Sequence, residues 1–455
     1  MIGSRRITGL YGHAVFAVLT AWALYCWQAR TLILDAAFQS FQFIAEGRPV
    51  VMVERFGTAL MQVLPLVFVK ADAPLSMVLQ AWSAAFVLYH WGLFAIAFHG
   101  LKDHKTAIAI AWFALLFTGD CFYWIQNELL PGIALLLLGI GYLRAYSLKT
   151  PWQWAFLAAL MFTLVYIHPL MIFPLGYVAL RNDARLNTRA MIGAAGFAIL
   201  AFAAKYLLQA PNFYDRGMTG QYIREFHFSL RAFLQSQSLR DFTAHLSQNF
   251  LLLLPLLLLI SWFYARRRRY LHLSWLWLAV TGYTFMLMQR FLQDDRWYIQ
   301  ESHYQALALF VLVPLVWDLL PEMRWRPWLT GLVMLLTLWR LGGIFVLHEQ
   351  YAARLQYVRG LMQESKYPLS VVAESKLDRK KLLMTWGLPY ETLQISALES
   401  PDSIRIIAVA DNADTFSKAI SRDSMTTFLM FPRKAFRDLP QQYYRINPGE
   451  GWKPY

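Results

Sequence analysis

"WAFLAALMFTLVYIHPLMIFPLGYVAL" (154–180) carries no Asp, Glu, Lys or Arg, while Lys149 precedes it and Arg181, Arg185 and Arg189 follow. Lys and Arg gather on the cytoplasmic side of membrane helices, so cations at both ends place both ends on one face. The stretch must therefore turn back midway. His168-Pro169 is the natural break, because proline removes a backbone donor and clashes with the preceding turn. Two half-length helices result, and their freed backbone groups must lie against protein or water. Such an interruption lines a cavity, which makes His168 a candidate cavity residue; its other reading is a plain kink residue.

Working outward, the 455 residues are 58% hydrophobic, 16% aromatic and only 15% charged. That is too apolar for a soluble domain with a polar surface, and it implies lipid. The net charge of +14 does not indicate nucleic acid, since the cations sit in short clusters between apolar runs, as in "ARRRRY" (265–270) and "PEMRWRPW" (321–328). The start "MIGSRRITG" leads into an apolar stretch without a small-residue cleavage site and reads as an uncleaved first helix. Cys26 and Cys121 lie in or beside apolar runs and build neither a disulfide framework nor a zinc site. Gly-rich phosphate loops, H-E-x-x-H and G-x-S-x-G are absent from the sequence.

Helix length and the distribution of cations predict the threading. With Arg5 and Arg6 inside, helix one (10–29) exits and a long outer loop (30–73) follows. Helix two (74–101) returns to "KDHK", helix three ends near "TGDCFYWIQNE" (118–128), and helix four (129–147) comes back to Lys149. After the broken pair, helices are expected at 190–209, 249–265, 271–289, 305–320 and 329–347. The expectation is an all-α polytopic membrane protein of about eleven transmembrane elements, residues 1–347, with its N-terminus cytoplasmic. From 348 to 455 charge, Pro and Gly rise, and β-rich runs at 369–374, 403–410 and 426–431 alternate with helical stretches at 377–386 and 413–421. These predict a small soluble α/β domain on the extracytoplasmic side.

This topology collects the informative charges on the outer face. Asp35 and Glu128 are the acids nearest the hydrocarbon boundary, where a carboxylate is costly unless it faces a wet cavity or a partner. Each has a structural alternative: Asp35 as the N-cap of a helix beginning "AAFQSFQFI", and Glu128 as an acid favouring the positive end of helix four. The charges at 46–55 read as the solvated face of an amphipathic interfacial helix. Asp294 and Asp295, beside Arg290 and Arg296, read as a surface salt-bridge cluster rather than a metal pair.

A long first outer loop with an early acid, "GDCFYWIQNELLPGIALLLLGI" (119–140), a broken helix pair, a late "ESHYQALALFVLVPL" (301–315) and a terminal outer domain together resemble the GT-C superfamily of integral-membrane glycosyltransferases. The protein O-mannosyltransferase and lipid A aminoarabinose transferase branch is the nearest look, and the order of elements matches along nearly the whole chain. The resemblance implies a polyprenyl-phosphate-linked sugar donor, a lipid, glycan or protein acceptor, and a place in the bacterial inner membrane with residues 348–455 periplasmic. It carries the general base to Asp35 and a second catalytic acid to Glu128. Grip on the donor phosphate falls to His303 and Tyr304, with Arg290 and Arg296 as alternatives, and Asp120 joins His168 in lining the cavity. No metal ligands are assigned, and a divalent cation, magnesium or manganese, is left open. The acid after helix one stands alone, where the mannosyltransferases carry an Asp-Glu pair, and "YIHPL" (166–170) replaces a Lys-Gly-Pro-like stretch. That departure sustains an alternative: an inactive GT-C-like membrane scaffold holding partners through its C-terminal domain. A transporter fits less well, since one clear break and acids at the outer edge differ from paired mid-membrane breaks.

Overall fold

The computed structural model describes residues 5–181, 188–208, 229–248, 250–290, 297–323, 327–426, 433–449 and 451–455, with single positions at 214, 217 and 220. The chain is predominantly helical. Six helices are long and apolar enough to cross a membrane: Arg5–Tyr25, Leu75–Gly100, Thr188–Leu208, Tyr270–Gln289, Glu301–Glu322 and Pro327–Glu364. Shorter apolar helices of 10–17 residues, such as His104–Leu116 and Leu129–Ala145, stand between them.

In chain order the helices are α1 (Arg5–Tyr25), α2 (Trp27–Thr31), α3 (Leu34–Glu46), α4 (Ala59–Lys70), α5 (Leu75–Ala95), α6 (His104–Leu116), α7 (Leu129–Ala145), α8 (Pro151–Val165), α9 (Ile172–Leu180) and α10 (Thr188–Ala203). They continue with α11 (Leu230–Leu234), α12 (Gln237–Gln248), α13 (Leu253–Arg266), α14 (Tyr270–Arg290), α15 (Trp297–Pro314) and α16 (Pro327–Glu364). A C-terminal α/β unit adds α17 (Arg379–Leu382), α18 (Leu388–Glu399) and α19 (Ala413–Ala419). Its strands β1 (Leu369–Ala373), β2 (Ile406–Ala410) and β3 (Lys453–Pro454) form a parallel sheet in the order β2-β1-β3. Leu369 pairs with Ile406, and both are fully buried.

Local chemistry accounts for the boundaries. Thr150 caps α8 with Pro151 in its first turn, and Gln153 completes a capping box. The helix stops at Val165, and the backbone breaks where proline was expected to break it: His168 is extended and its Nδ1 accepts the Leu170 N–H at 3.1 Å, opening a 3₁₀ turn at Pro169–Met171. Asp103 caps α6 by accepting from Lys105 and Thr106. The helical core centres on α15, where Ala306 through Val313 are each at most 2% exposed.

Three expectations change. The last membrane helix does not end at 347: α16 runs on to Glu364, burying Tyr351, Arg354, Leu355, Val358, Leu361 and Met362 along one stripe. That 3.6-residue spacing continues the helix beyond its apolar part, so the switch to α/β structure comes at about 365. A strand that was not expected lies at Lys453–Pro454; of the expected strand 426–431, residues 427–431 lie outside the described residues. Helix α18, which was not anticipated, packs against α3, and the stretch 377–386 holds only the short α17.

Candidate functional site

The interfacial helix expected over the charges at 46–55 is absent. Gly47 adopts a left-handed conformation (φ 63°) and ends α3 at Glu46, so the following residues leave the helix. Glu46 pairs with Arg48 and with Lys434 of the C-terminal unit, at 2.9 and 3.1 Å. Arg55 turns inward and forms an ion pair with Glu128, their side chains 15% and 13% exposed. Neither sequence-singled acid serves as a helix cap. The N-cap of α3 is Ile33, with no side-chain cap bond, and Asp35 is the second helical residue. At α7 Glu128 stands at the N-cap position with no side-chain cap bond, and Asn127 Oδ1 accepts the N–H groups of Leu129 (2.9 Å) and Leu130 (3.2 Å) instead, leaving the Glu128 carboxylate for Arg55.

Asp35 meets the end of the loop 117–128, where Gln126 and Glu128 lie. Gln126 Nε2 donates to Asp35 Oδ2 at 3.2 Å, and Glu128 is near enough for its charge to act on Asp35. Burial, then the neighbouring Glu128 charge, pushes the Asp35 carboxyl up to about 7, against the opposing hydrogen bond from Gln126. Asp35 nevertheless remains partly exposed. Dense surroundings with residual accessibility describe a crevice wall, where a proton can be exchanged.

That loop is clamped from several sides. Arg30, fully buried, donates through Nε to Ser83 Oγ (2.8 Å), through Nη2 to the Ser83 carbonyl (3.0 Å) and through Nη1 to the Phe122 carbonyl, with its guanidinium 3.9 Å over the Phe122 ring. Glu301 at the start of α15 accepts the N–H groups of Gly119 (2.7 Å) and Asp120 (2.6 Å). The Asp120 carboxylate, in a residue 1% exposed, accepts from Gln350 (2.7 Å) and Tyr351 (2.9 Å) of α16. Asp120 thus sits in a packed polar network that holds the loop, one step behind the crevice.

The helix break joins the same site. Ile167, fully buried, fits a notch made by two glycines: a Cβ on Gly57 would meet its Cγ1 at 2.4 Å, and one on Gly132 its Cγ2 at 2.6 Å. Close approach at these two points carries His168 toward the Arg55 segment and the start of α7. The rings of His168 and His303 stand 6.1 Å apart, edge to face, and His168 is within electrostatic reach of Arg55, His303 and Lys205. Lys205, 2% exposed, points its ammonium at the Val165 carbonyl (3.4 Å) and over the Tyr166 ring (5.3 Å). Beside them opens a pocket of about 410 Å³ lined by Phe56, Gly57, Leu60, Phe162, Thr163 and Tyr166. Phe56, Leu60 and Phe162 on its rim are 40–53% exposed, an apolar mouth.

The structure thus brings together Asp35, Glu128, His168 and His303, and adds Arg55, Gln126 and Lys205. Lys205 had a sequence signal, a single cation inside an apolar run, which marks function or pairing in a membrane helix. Tyr304 is 1% exposed and packs on Phe242 of α12 at 4.5 Å, on a different face of α15 from His303. Arg290 is the last residue of α14, and Asp294, Asp295 and Arg296 lie outside the described residues. Among the described residues no group of three or more His, Cys, Asp or Glu side chains could hold a metal ion.

A second polar cluster defines the other end of the bundle. Arg181 and Tyr264 both bond Asp318, and Arg267 and Arg269 pair with Glu322. Glu301 and Asp318 belong to one continuous helical run, about 25 Å apart at 1.5 Å per residue, close to the thickness of a hydrocarbon core. No protein-family model, curated protein or solved structure matches this chain.

Proposed function

We propose that the chain is a GT-C type glycosyltransferase that moves a sugar from a polyprenyl-phosphate-linked donor to an acceptor hydroxyl at the periplasmic face of a bacterial inner membrane. The observation that carries this reading is the juxtaposition of the Asp35 carboxyl raised to about 7, two cations, Arg55 and Lys205, within electrostatic reach of His168, and an apolar pocket open at the bundle surface. A general base works best when its proton affinity matches the operating pH, and Asp35 meets that condition. In the step, the acceptor oxygen attacks the anomeric carbon as its proton passes to Asp35. The bond from that carbon to the phosphate oxygen breaks, and the electron pair leaves with the phosphate. Arg55 and Lys205 would hold that charge, with His168 and His303 as hydrogen-bonding rings beside them and Arg55 also tying Glu128 in place. The pocket of Phe56, Leu60, Phe162 and Tyr166 would take the first isoprene units of the carrier.

The finer topology belongs to the same proposal. The Arg181, Arg267 and Arg269 cluster marks the cytoplasmic end, and Asp35 with the C-terminal unit marks the periplasmic end, through roughly eleven membrane elements. Cells carrying Asp35→Asn or Glu128→Gln at normal protein level should lose a periplasmic glycan. Unchanged glycans in both would defeat the transferase reading.

A further inference from the structure

Helix α3 begins without a cap of its own. Leu34, its first residue, holds φ at 46°, a left-handed value that is strained for a non-glycine residue and persists only where surroundings impose it. The imposing group comes from far along the chain. Glu391 of α18 accepts the Leu34 N–H through Oε1 at 2.9 Å, and the same oxygen accepts from Arg354 Nη2 of α16 at 2.6 Å. Glu391 and Arg354 have side chains 0% and 3% exposed. The approach is close: a Cβ on Gly387 would stand 2.7 Å from Leu34 Cα. Around this contact Tyr390 meets Phe38 and Phe41 at 4.8 and 5.3 Å, and Gln394 donates to Ser40 at 3.2 Å. The C-terminal unit therefore supplies the missing N-terminal cap of the helix on which Asp35 is the next residue.

We infer that Glu391 is a positioning residue for Asp35: by capping α3 at Leu34, the C-terminal α/β unit sets the direction in which the Asp35 carboxylate enters the crevice. This rests on the reading of Asp35 as the general base, but the geometry stands apart from it. A carboxylate at a helix N-terminus is favoured by the free N–H groups and the helix dipole, and Arg354 fixes where that carboxylate sits. Without the bond, Leu34 has no reason to keep a left-handed conformation, and relaxation of its φ swings the following residue. The charged and polar groups around Asp35 are then Glu128 with its partner Arg55, Gln126, and Glu391 itself.

The test reads Asp35 directly, in the full-length protein labelled with ¹³C-aspartate, by infrared titration of the carboxylic C=O band against Asp35→Asn as blank. Glu391→Ala should move the Asp35 midpoint by about one pH unit or more toward the ordinary carboxylate value, as the carboxyl swings to water. Glu391→Gln keeps an acceptor for Leu34 and should restore most of the wild-type midpoint. Gly387→Ala keeps both the Glu391 and Arg354 side chains but pushes on Leu34, 2.7 Å from the new Cβ, and on Glu391 Oε1 at 3.2 Å, and should shift the midpoint even if Glu391→Ala does not fold. A merely structural Glu391 would act on Asp35 through its charge alone and give Glu391→Ala and Glu391→Gln the same midpoint. Equal midpoints in Glu391→Ala and Glu391→Gln or, where the first does not fold, an unmoved midpoint in Gly387→Ala overturn the inference while leaving the transferase reading intact. Unchanged glycans in both Asp35→Asn and Glu128→Gln overturn the transferase reading while leaving the positioning intact.

Discussion

The Glu128–Arg55 pair makes a prediction with a sign on each side. Asp35 is raised from 3.8 to about 7, first by burial and next by the Glu128 charge. At about 6 Å, the outer end of the range over which a neighbouring charge ordinarily shifts a carboxyl, a unit charge in an effective dielectric of about 20 is worth about 3 kcal/mol, or about two pH units, which sets the scale. Arg55, bonded to Glu128, cancels part of that field, so about one unit is left for Glu128 to contribute at Asp35. Glu128→Gln should therefore lower the Asp35 midpoint by about one unit, toward 6, in the infrared titration. Arg55→Gln leaves Glu128 charged and unopposed, and should raise the midpoint by a comparable amount. The opposition of signs is what the geometry demands, because one substitution deletes the repelling charge and the other deletes the charge that masks it. Shifts of the same sign in the two variants, or a wild-type midpoint near 4, would refute the reasoning.

Three further outcomes follow from the same contacts. Because the folded-state proton affinity of Asp35 lies above its unfolded value, the stabilising contribution is complete below about pH 4 and is lost as pH rises toward 7, at most about 4 kcal/mol and less for a residue with some access to water. Thermal unfolding at pH 5 and pH 8 should show Asp35→Asn gaining on the wild type at the higher pH, and an equal difference at both would contradict the raised carboxyl. Ile167→Ala empties the notch between Gly57 and Gly132 and should cost about 2–5 kcal/mol in denaturant unfolding, with a loss below 1 kcal/mol showing that the break is not held there. Arg30→Ala removes three hydrogen bonds and a ring contact from a buried cation and should destabilise by about 3 kcal/mol or more, measured as loss of the folded fraction in thermal scans.

How far the sequence reached depended on whether each signal was local. The break at His168-Pro169 was readable, because proline geometry acts within a few residues, and Asp35 and Glu128 stood out as acids beside apolar runs, which the structure brings within electrostatic reach of each other. Arg55 was hidden by treating 46–55 as one helix. Yet Gly47 followed by Pro49 is a helix stop, and reading it would have freed Arg55 to pair inward. The continuation of α16 past 347 was equally available in the spacing of Tyr351, Leu355, Val358 and Met362, but the end of the apolar run was taken for the end of the helix. His303 and Tyr304 diverge because successive residues on a helix point about 100° apart, so one meets His168 and the other Phe242.

Glu391 had no such signal, since its partner Leu34 lies hundreds of residues away and neither stretch advertises the other. What such long-range contacts share here is a glycine at the point of closest approach. Gly57 and Gly132 admit Ile167, and Gly387 admits the backbone of Leu34, with the nearest atoms 2.4, 2.6 and 2.7 Å from where a Cβ would stand. None of the three has a positive φ, so conformational freedom does not explain them; space does. A site assembled from α3, the Arg55 segment, the start of α7, the helix break and the C-terminal unit needs its backbones closer than side chains normally permit. These glycines are where that closeness is obtained, which makes them sharper tests of the assembly than the charged residues they bring together.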